Sequence, residues 1–265
     1  MTMGMRILYQ SMTQLGTLTH YADALKECAK KVCSEGTQVA FNGVTESRYE
    51  GRMPADILKY AYAKLVLQTE VIDFCRKAEQ DGFDAIVLGS FSEPFLPEIR
   101  SLLSIPVVSL AEASLLTACS LGEQIALITL APSNVKRLKA LVRRHGLENR
   151  IQGYYCVTHH LDEADLNAAL AQPAAVIEDF TAVAHKAVEA GADLIVPAEG
   201  VLNLVMAGNK VGPIGGATVL DCVGVAFLYT EMLVNLQRRT GIGVGRRGVY
   251  ATPPADMLAQ LDRHR

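Results

Sequence analysis

The sequence predicts an α/β protein of two similar three-layer lobes, each with a parallel four-stranded sheet, related by pseudo-two-fold symmetry. Three observations carry that prediction. Short aliphatic runs alternate along the chain with amphipathic segments, the pattern of parallel strands joined by crossover helices. Half of the 265 residues are hydrophobic, yet only 6% are aromatic and there is no Trp, a balance that suits aliphatic buried strands and Ala-rich helices. One helix–glycine–strand segment also recurs 109 residues further on.

The first lobe opens with the strand Arg6-Ile7-Leu8-Tyr9 and a polar turn, Gln10-Ser11-Met12-Thr13. Residues 18–35 read as a helix stopped by Gly36, and Gln38-Val39-Ala40-Phe41 as a second strand. A loop with Tyr49, Gly51 and Pro54 leads into one long helical pattern over 55–80, ended at Gly82. Ala85-Ile86-Val87-Leu88-Gly89 is an apolar run suited to burial on both faces. A helix at 94–103 and the strand 106–110 complete the set.

The second lobe repeats the order. A helix at 112–121 precedes the strand 125–129, and a helix at 133–145 stops at Gly146. Residues 150–157 read as a strand, 174–190 as a helix ended by Gly191, 194–196 as a strand, 201–209 as a helix and 217–221 as the last strand. A helix at 223–239 closes the fold. The duplication is read from Lys77–Ser90 laid over Lys186–Glu199 without a gap, sharing Lys, Ala, Gly, Asp, Ile and Val in register. The expected boundaries are a first lobe of 1–111 plus 223–240, a second of 112–222, and a tail of 241–265.

Several function classes are disfavoured. A net charge of −3 gives no electrostatic reason to expect nucleic acid or an anionic membrane, and few aromatics leave little for stacking bases or sugars. No apolar run approaches the ~18 residues of a membrane span, and Met1-Thr2-Met3-Gly4-Met5-Arg6 does not read as a secretory leader. Cys28, Cys33, Cys75, Cys119, Cys156 and Cys222 form no CxxC pair. They read as free thiols of a cytoplasmic protein. His159-His160 ahead of Asp162, Glu163 and Asp165 lacks a spaced third ligand, so a solvated loop is expected there and no metal. Gly241, Gly243, Gly245 and Gly248 follow a helix, the wrong context for a nucleotide loop. Gly212, Gly215 and Gly216 read as a turn.

Ligands of open α/β sheets bind at the carboxyl ends of the strands. The duplication puts Ser90 and Glu199 at equivalent strand ends, and facing halves would bring them to one cleft from opposite sides. Ser11, Thr13, Ser92, Glu93, Glu112, Thr129, Ser133 and Asn134 are expected at the same rim. Several of these open helices, where free N–H groups favour an anion. Two readings stand for Ser92, Ser133 and Asn134: helix caps or ligand contacts.

These segments resemble the aspartate/glutamate/hydantoin racemase superfamily, hydantoin racemases above all. Asp84-Ala85-Ile86-Val87-Leu88-Gly89-Ser90-Phe91-Ser92-Glu93-Pro94 is similar to the family's first catalytic segment, a strand ending in Cys-Phe-Asp-Asp-Pro. Gly191–Gly200 is similar to the second, where Gly-Ala-Glu-x-Ile-Val-Leu-Gly-Cys-Ala-Gly is usual, which adds Gly200 to the expected substrate-binding set. Leu110-Ala111-Glu112-Ala113 resembles the Cys-Glu-Ala segment, and Thr129-Leu130 with Ser133 the Thr-Leu-Ser turn. The likeness spans roughly residues 5–240 and implies a homo-oligomer.

The departures decide the chemistry. Family racemases use two cysteines as proton donor and acceptor, and here those positions hold Ser90 and Glu199. Tyr9-Gln10-Ser11-Met12-Thr13 stands where the family has Asn-Pro-Asn-Ser-Thr. A serine without an activating base is a poor proton acceptor, whereas a desolvated glutamate is a good one. The expectation is a cofactor-independent, isomerase-like enzyme acting on a small carboxylate or cyclic amide or imide. Glu199 is its principal acid/base, Ser90 binds substrate or intermediate from the other face, and helix-start groups steady enolate charge. Four alternatives stay open. Glu112 or Glu93 could serve the second face. A lyase, decarboxylase or hydrolase could use Glu199 alone, as family decarboxylases keep one cysteine of the two. The chain could be a non-catalytic ligand-binding protein. Glu199 could also be a structural carboxylate paired with Arg or Lys.

Overall fold

The computed structural model describes residues 4–159 and 161–263. His160, and Met1–Met3 at the start of the chain, lie outside the described residues. The first sheet is built from β1 (Met5–Ser11), β2 (Thr37–Asn42), β3 (Ala85–Gly89) and β4 (Val107–Ser109), in the order β2-β1-β3-β4. The second uses β5 (Ile125–Thr129), β6 (Ile151–Cys156), β7 (Leu194–Pro197) and β8 (Thr218–Val219), in the equivalent order β6-β5-β7-β8. All pairs are parallel. No helix among the described residues is long and apolar enough to cross a membrane.

The helices, in chain order, are α1 (Thr19–Val32), α2 (Pro54–Leu58), α3 (Ala61–Gln68), α4 (Glu70–Gln80), α5 (Leu96–Leu102), α6 (Leu110–Leu121), α7 (Pro132–Arg144), α8 (Glu163–Ala169), α9 (Ala174–Glu189), α10 (Gly200–Gly208), α11 (Cys222–Thr240) and α12 (Ala255–Arg263). Every residue of β3, β5 and β7 is buried. Their side chains alternate between two cores. Tyr9, Val87, Leu127 and Val196 turn toward one cluster shared by both sheets. Leu8, Ile86 and Leu88 pack under Val71, Cys75 and Ala78 of α4, and Ile128 and Ile195 pack under α9 and α10. Burial on both faces is why these strands read as continuous apolar runs.

The duplication is present in the hydrogen bonds. The Gly82 N–H donates to Glu79 and the Phe83 N–H to Ala78, as Gly191 does to Val188 and Ala192 to Ala187. Asp84 N–H donates to the Arg6 carbonyl near the start of β1, and Asp193 N–H to the Gln124 carbonyl just before β5, at 2.7 and 2.9 Å. At the strand ends, Ser90 N–H donates to Leu88 O and Glu199 N–H to Pro197 O, both at 2.9 Å. The two candidate residues thus leave their sheets through the same tight turn. α11 then returns to pack on α1, β3, β4 and α6.

Four elements differ from the sequence reading. The single helix over 55–80 is three, α2 to α4, broken where Tyr60 is extended (φ −90°, ψ 120°). The buried stripe Val71, Cys75, Ala78, extended back by helical spacing, meets Lys64 instead of an apolar residue, so one straight helix could not keep its face on the sheet. The acidic stretch expected as a loop starts α8: the Asp162 carboxylate accepts from the Asp165 N–H, and Asp165 returns the bond, a capping box. The last strand shrinks to Thr218–Val219. The tail folds back on the first sheet's edge, where Arg76 holds Asp262 through two bonds of 2.7 and 2.8 Å.

Candidate active site

Glu199 stands between β7 and α10 and caps that helix, its Oε2 accepting from the Leu202 N–H at 2.7 Å. Burial pushes its carboxyl above the usual range, and the Leu202, Val201 and Gly200 N–H groups oppose the shift only in part. It takes part in no ion pair among the described residues. A half-buried carboxyl with no cation at the tip of a strand is unlike a structural salt bridge.

Two tyrosines connect this point to the first lobe. Tyr9 and Tyr21 are buried, and their hydroxyls are 3.1 Å apart. A Cβ built on Gly200, the residue after Glu199, would come within 3.5 Å of the Tyr21 hydroxyl. A Cβ on Gly89, the residue before Ser90, would overlap the Tyr9 ring. The phenol pair therefore spans from one strand end to the other. Phe41 and Phe227, with ring centroids 5.8 and 5.7 Å from that of Tyr9, fix its ring. Burial raises both phenols far above the ordinary value, the nearby Glu199 carboxylate adding to the effect. Both remain neutral hydrogen-bond donors. The Ser11 hydroxyl, at the end of β1, accepts from the Thr13 N–H at 3.3 Å.

Ser90 is half-buried, its Oγ 2.9 Å from that of Ser92 and accepting from the Ser92 N–H at 3.1 Å. Thr13 donates to Glu163 of α8 at 3.0 Å, and Tyr21 N–H donates to Asn167 of α8 at 3.0 Å. These bonds join the β1 turn and α1 to the other lobe.

The remaining sequence-predicted residues fall into two groups. Buried Thr129 accepts from the Asn134 amide at 3.4 Å, while Ser133 is exposed. Neither Ser133 nor Asn134 caps a helix, since Ala131 opens α7, and Phe95 rather than Ser92 opens α5. Glu93 and Glu112 belong to a cluster of their own. Glu93 accepts from Ser109 Oγ and faces His145 Nε2 at 2.9 Å, while Glu112 is chelated by the Arg100 guanidinium, which also meets the Tyr250 hydroxyl at 3.3 Å. Glu112 is thereby paired with a cation, and Glu93 is held by Ser109 and His145 with Arg144 3.5 Å away.

Tyr9, Tyr21, Arg100 and His145 were not legible as site residues. The tyrosines look like core aromatics, and the one signal was Gly89, a residue without a side chain beside a large ring on the neighbouring strand. The cysteines are all free, and burial holds the Cys28, Cys33 and Cys75 thiols up at about 12, so none of the three is a thiolate near neutral pH.

Comparison with known proteins gives one consistent result. The Asp/Glu/Hydantoin racemase family matches over residues 15–226. The chain is 30% identical to a hydantoin racemase of Pseudomonas sp. (strain NS671) over 127 residues, 48% of each chain. It is 26% identical to one of Paenarthrobacter aurescens over 238 residues, covering 89% of this chain and 94% of that one. Its fold superposes on allantoin racemase from Klebsiella pneumoniae with a TM-score of 0.76 at 21% identity, over 94% of both chains.

Proposed function

We propose, from the premise that this chain belongs to the Asp/Glu/hydantoin racemase family, that it moves a proton at one carbon of a small carboxylate or cyclic amide or imide, with Glu199 as principal acid/base. The observation that carries this reading is the cation-free, half-buried carboxyl of Glu199 at the lobe junction, set beside two neutral phenols. Its raised pKa brings the carboxyl closer to working pH, where it both takes and returns a proton. The hydantoin and allantoin named for its relatives are cyclic ureides, and a neutral ring suits a region whose named polar groups are hydroxyls, phenols and one acid.

The steps follow from the groups present. The Glu199 carboxylate removes the proton from carbon, and the electron pair moves onto the adjacent carbonyl oxygen. The Tyr21 and Ser11 hydroxyls donate to that oxygen and lower the energy of the enolate, while the Thr13 hydroxyl donates to Glu163 at the edge of the site. Glu199, now protonated, returns a proton to the face it attacked. For inversion the enolate instead takes its one proton on the opposite face from the Ser90–Ser92 hydroxyl pair, which is refilled from solvent, and Glu199 releases its proton to solvent. Thr129, Asn134, Ser133 and the Gly200 N–H border the substrate. Glu93 and Glu112, held by His145 and Arg100, act as supports.

Incubation with one enantiomer of 5-benzylhydantoin in D₂O tests the reading. Wild type should put deuterium on C5, and Glu199→Gln should slow exchange by at least ~100-fold, the low end for a general acid/base. Equal exchange by both proteins would overturn it.

A further inference from the structure

The turn that carries Ser90 is held from outside. Within it Glu93 and Phe95 both adopt left-handed backbone conformations, φ +46° and +56°, which non-glycine residues avoid unless the surroundings enforce them. The enforcing contact is the Glu93 carboxylate, whose side chain is fully buried. It accepts from Ser109 Oγ at the start of α6, and both its oxygens face His145 Nε2, at 2.9 and 3.1 Å. His145 follows the last residue of α7, so the contact ties the second lobe to the Ser90 turn of the first.

The charges around His145 are asymmetric. Glu93 lies on its Nε2 side, and the Glu112 Oε1 of α6 lies 3.9 Å from Nδ1. Arg144 on its own helix stands 3.5 Å from Glu93, and Arg100 of α5 reaches the cluster through Glu112. Only the imidazolium can present an N–H to both carboxylates, since a neutral ring must turn a lone pair toward one of them. The carboxyl end of α7 adds a favourable helix dipole for a cation.

We infer that His145 is a positioning residue. Its imidazolium, gripped by Glu93 and Glu112, fastens the Ser90–Phe95 turn across the lobe junction and sets the Ser90 hydroxyl in place only while protonated. The hydrogen bond to Glu93 raises the imidazole above its ordinary value against the opposing effect of burial, so the latch is closed below that raised value and opens as pH rises through it. The inference rests on the reading of Ser90 as one face of the site.

Amide hydrogen exchange of the ligand-free protein tests it, with protection factors for the hydrogen-bonded amides of residues 90–95, those of Ser90, Ser92 and Glu93, measured from pH about 5.5 to about 9, around the ordinary imidazole value. NMR of the His145 ring follows its titration in the same samples. Wild type should lose ~10-fold in protection at 90–95 in one step that coincides with the His145 midpoint, about a tenfold change in the opening equilibrium. His145→Gln should show the low protection at every pH with no step, and His145→Lys should restore part of it. β5 and β7 should keep wild-type protection in both variants. Protection at 90–95 that ignores pH, or a wild-type step that survives in His145→Gln, overturns the inference. If the variant does not fold, the coincidence of the two wild-type midpoints decides. A step that behaves as stated in a protein that puts no deuterium on the hydantoin supports the latch and removes only the racemase-like reading.

Discussion

The hydroxyls of Tyr9 and Tyr21 are 3.1 Å apart, and they connect the neighbourhood of Ser90 to that of Glu199. Each phenol satisfies the other in a buried place. Tyr21→Phe or Tyr9→Phe alone strands one hydroxyl and should cost ~1–3 kcal/mol of stability, whereas the double variant, which removes both, should be closer to wild type than either single. A urea-unfolding double-mutant cycle checks this. The loss of Tyr21 should also lower kcat on 5-benzylhydantoin by ~100-fold or more, the scale for one donor to a developing oxyanion.

Glu199 has its folded-state pKa raised by burial. The proton therefore favours the fold: the contribution is full below the ordinary carboxylate pKa of about 4.3 and is lost as pH rises through the folded value. Glu199→Gln, which keeps an oxygen for the Leu202 N–H, should raise Tm near pH about 8 and leave it unchanged near pH about 4. Thermal melts across that range give the sign directly.

A single strong base predicts unequal stereochemistry. Glu199 serves its own face repeatedly, while inversion needs a proton from Ser90 and Ser92. Deuterium exchange with retention should therefore outrun racemisation from the enantiomer whose C–H faces Glu199, and exchange from the other enantiomer should be slow. Ser90→Ala should depress racemisation by ~10-fold or more while sparing exchange, on the scale of a lost proton-delivery group. Chiral chromatography and NMR on the same samples separate the two rates.

Arg100 and Glu112 are 11% and 17% exposed in their side chains, and Arg100 also receives the tail through Tyr250. Arg100→Met leaves a mostly buried Glu112 without its counter-charge and should cost ~3–5 kcal/mol. Arg246 donates to the carbonyl of Arg100 at 2.7 Å, so the tail should loosen as well. Limited proteolysis cutting within 241–263 of the variant, and not of wild type, reads that second effect.

Burial governs how much of this was visible beforehand. The sequence by itself determined the two parallel sheets, because strands buried on both faces must be aliphatic throughout, and their glycine stops must recur. It also determined the pair Ser90 and Glu199, because a duplicated strand end repeats its turn: the Ser90-to-Leu88 and Glu199-to-Pro197 bonds are the same bond twice. Only the tertiary structure decided the electrostatics. Glu93, Glu112, Arg100 and His145 are up to 52 residues apart in sequence and meet because α7 ends beside the Ser90 turn. No local spacing announces that meeting. Tyr9 and Tyr21 are 12 residues apart, on a strand and a helix whose patterns show only that both are apolar. That their hydroxyls pair, and that the pair lies between two catalytic candidates from different lobes, follows from long-range packing, which sequence periodicity does not encode.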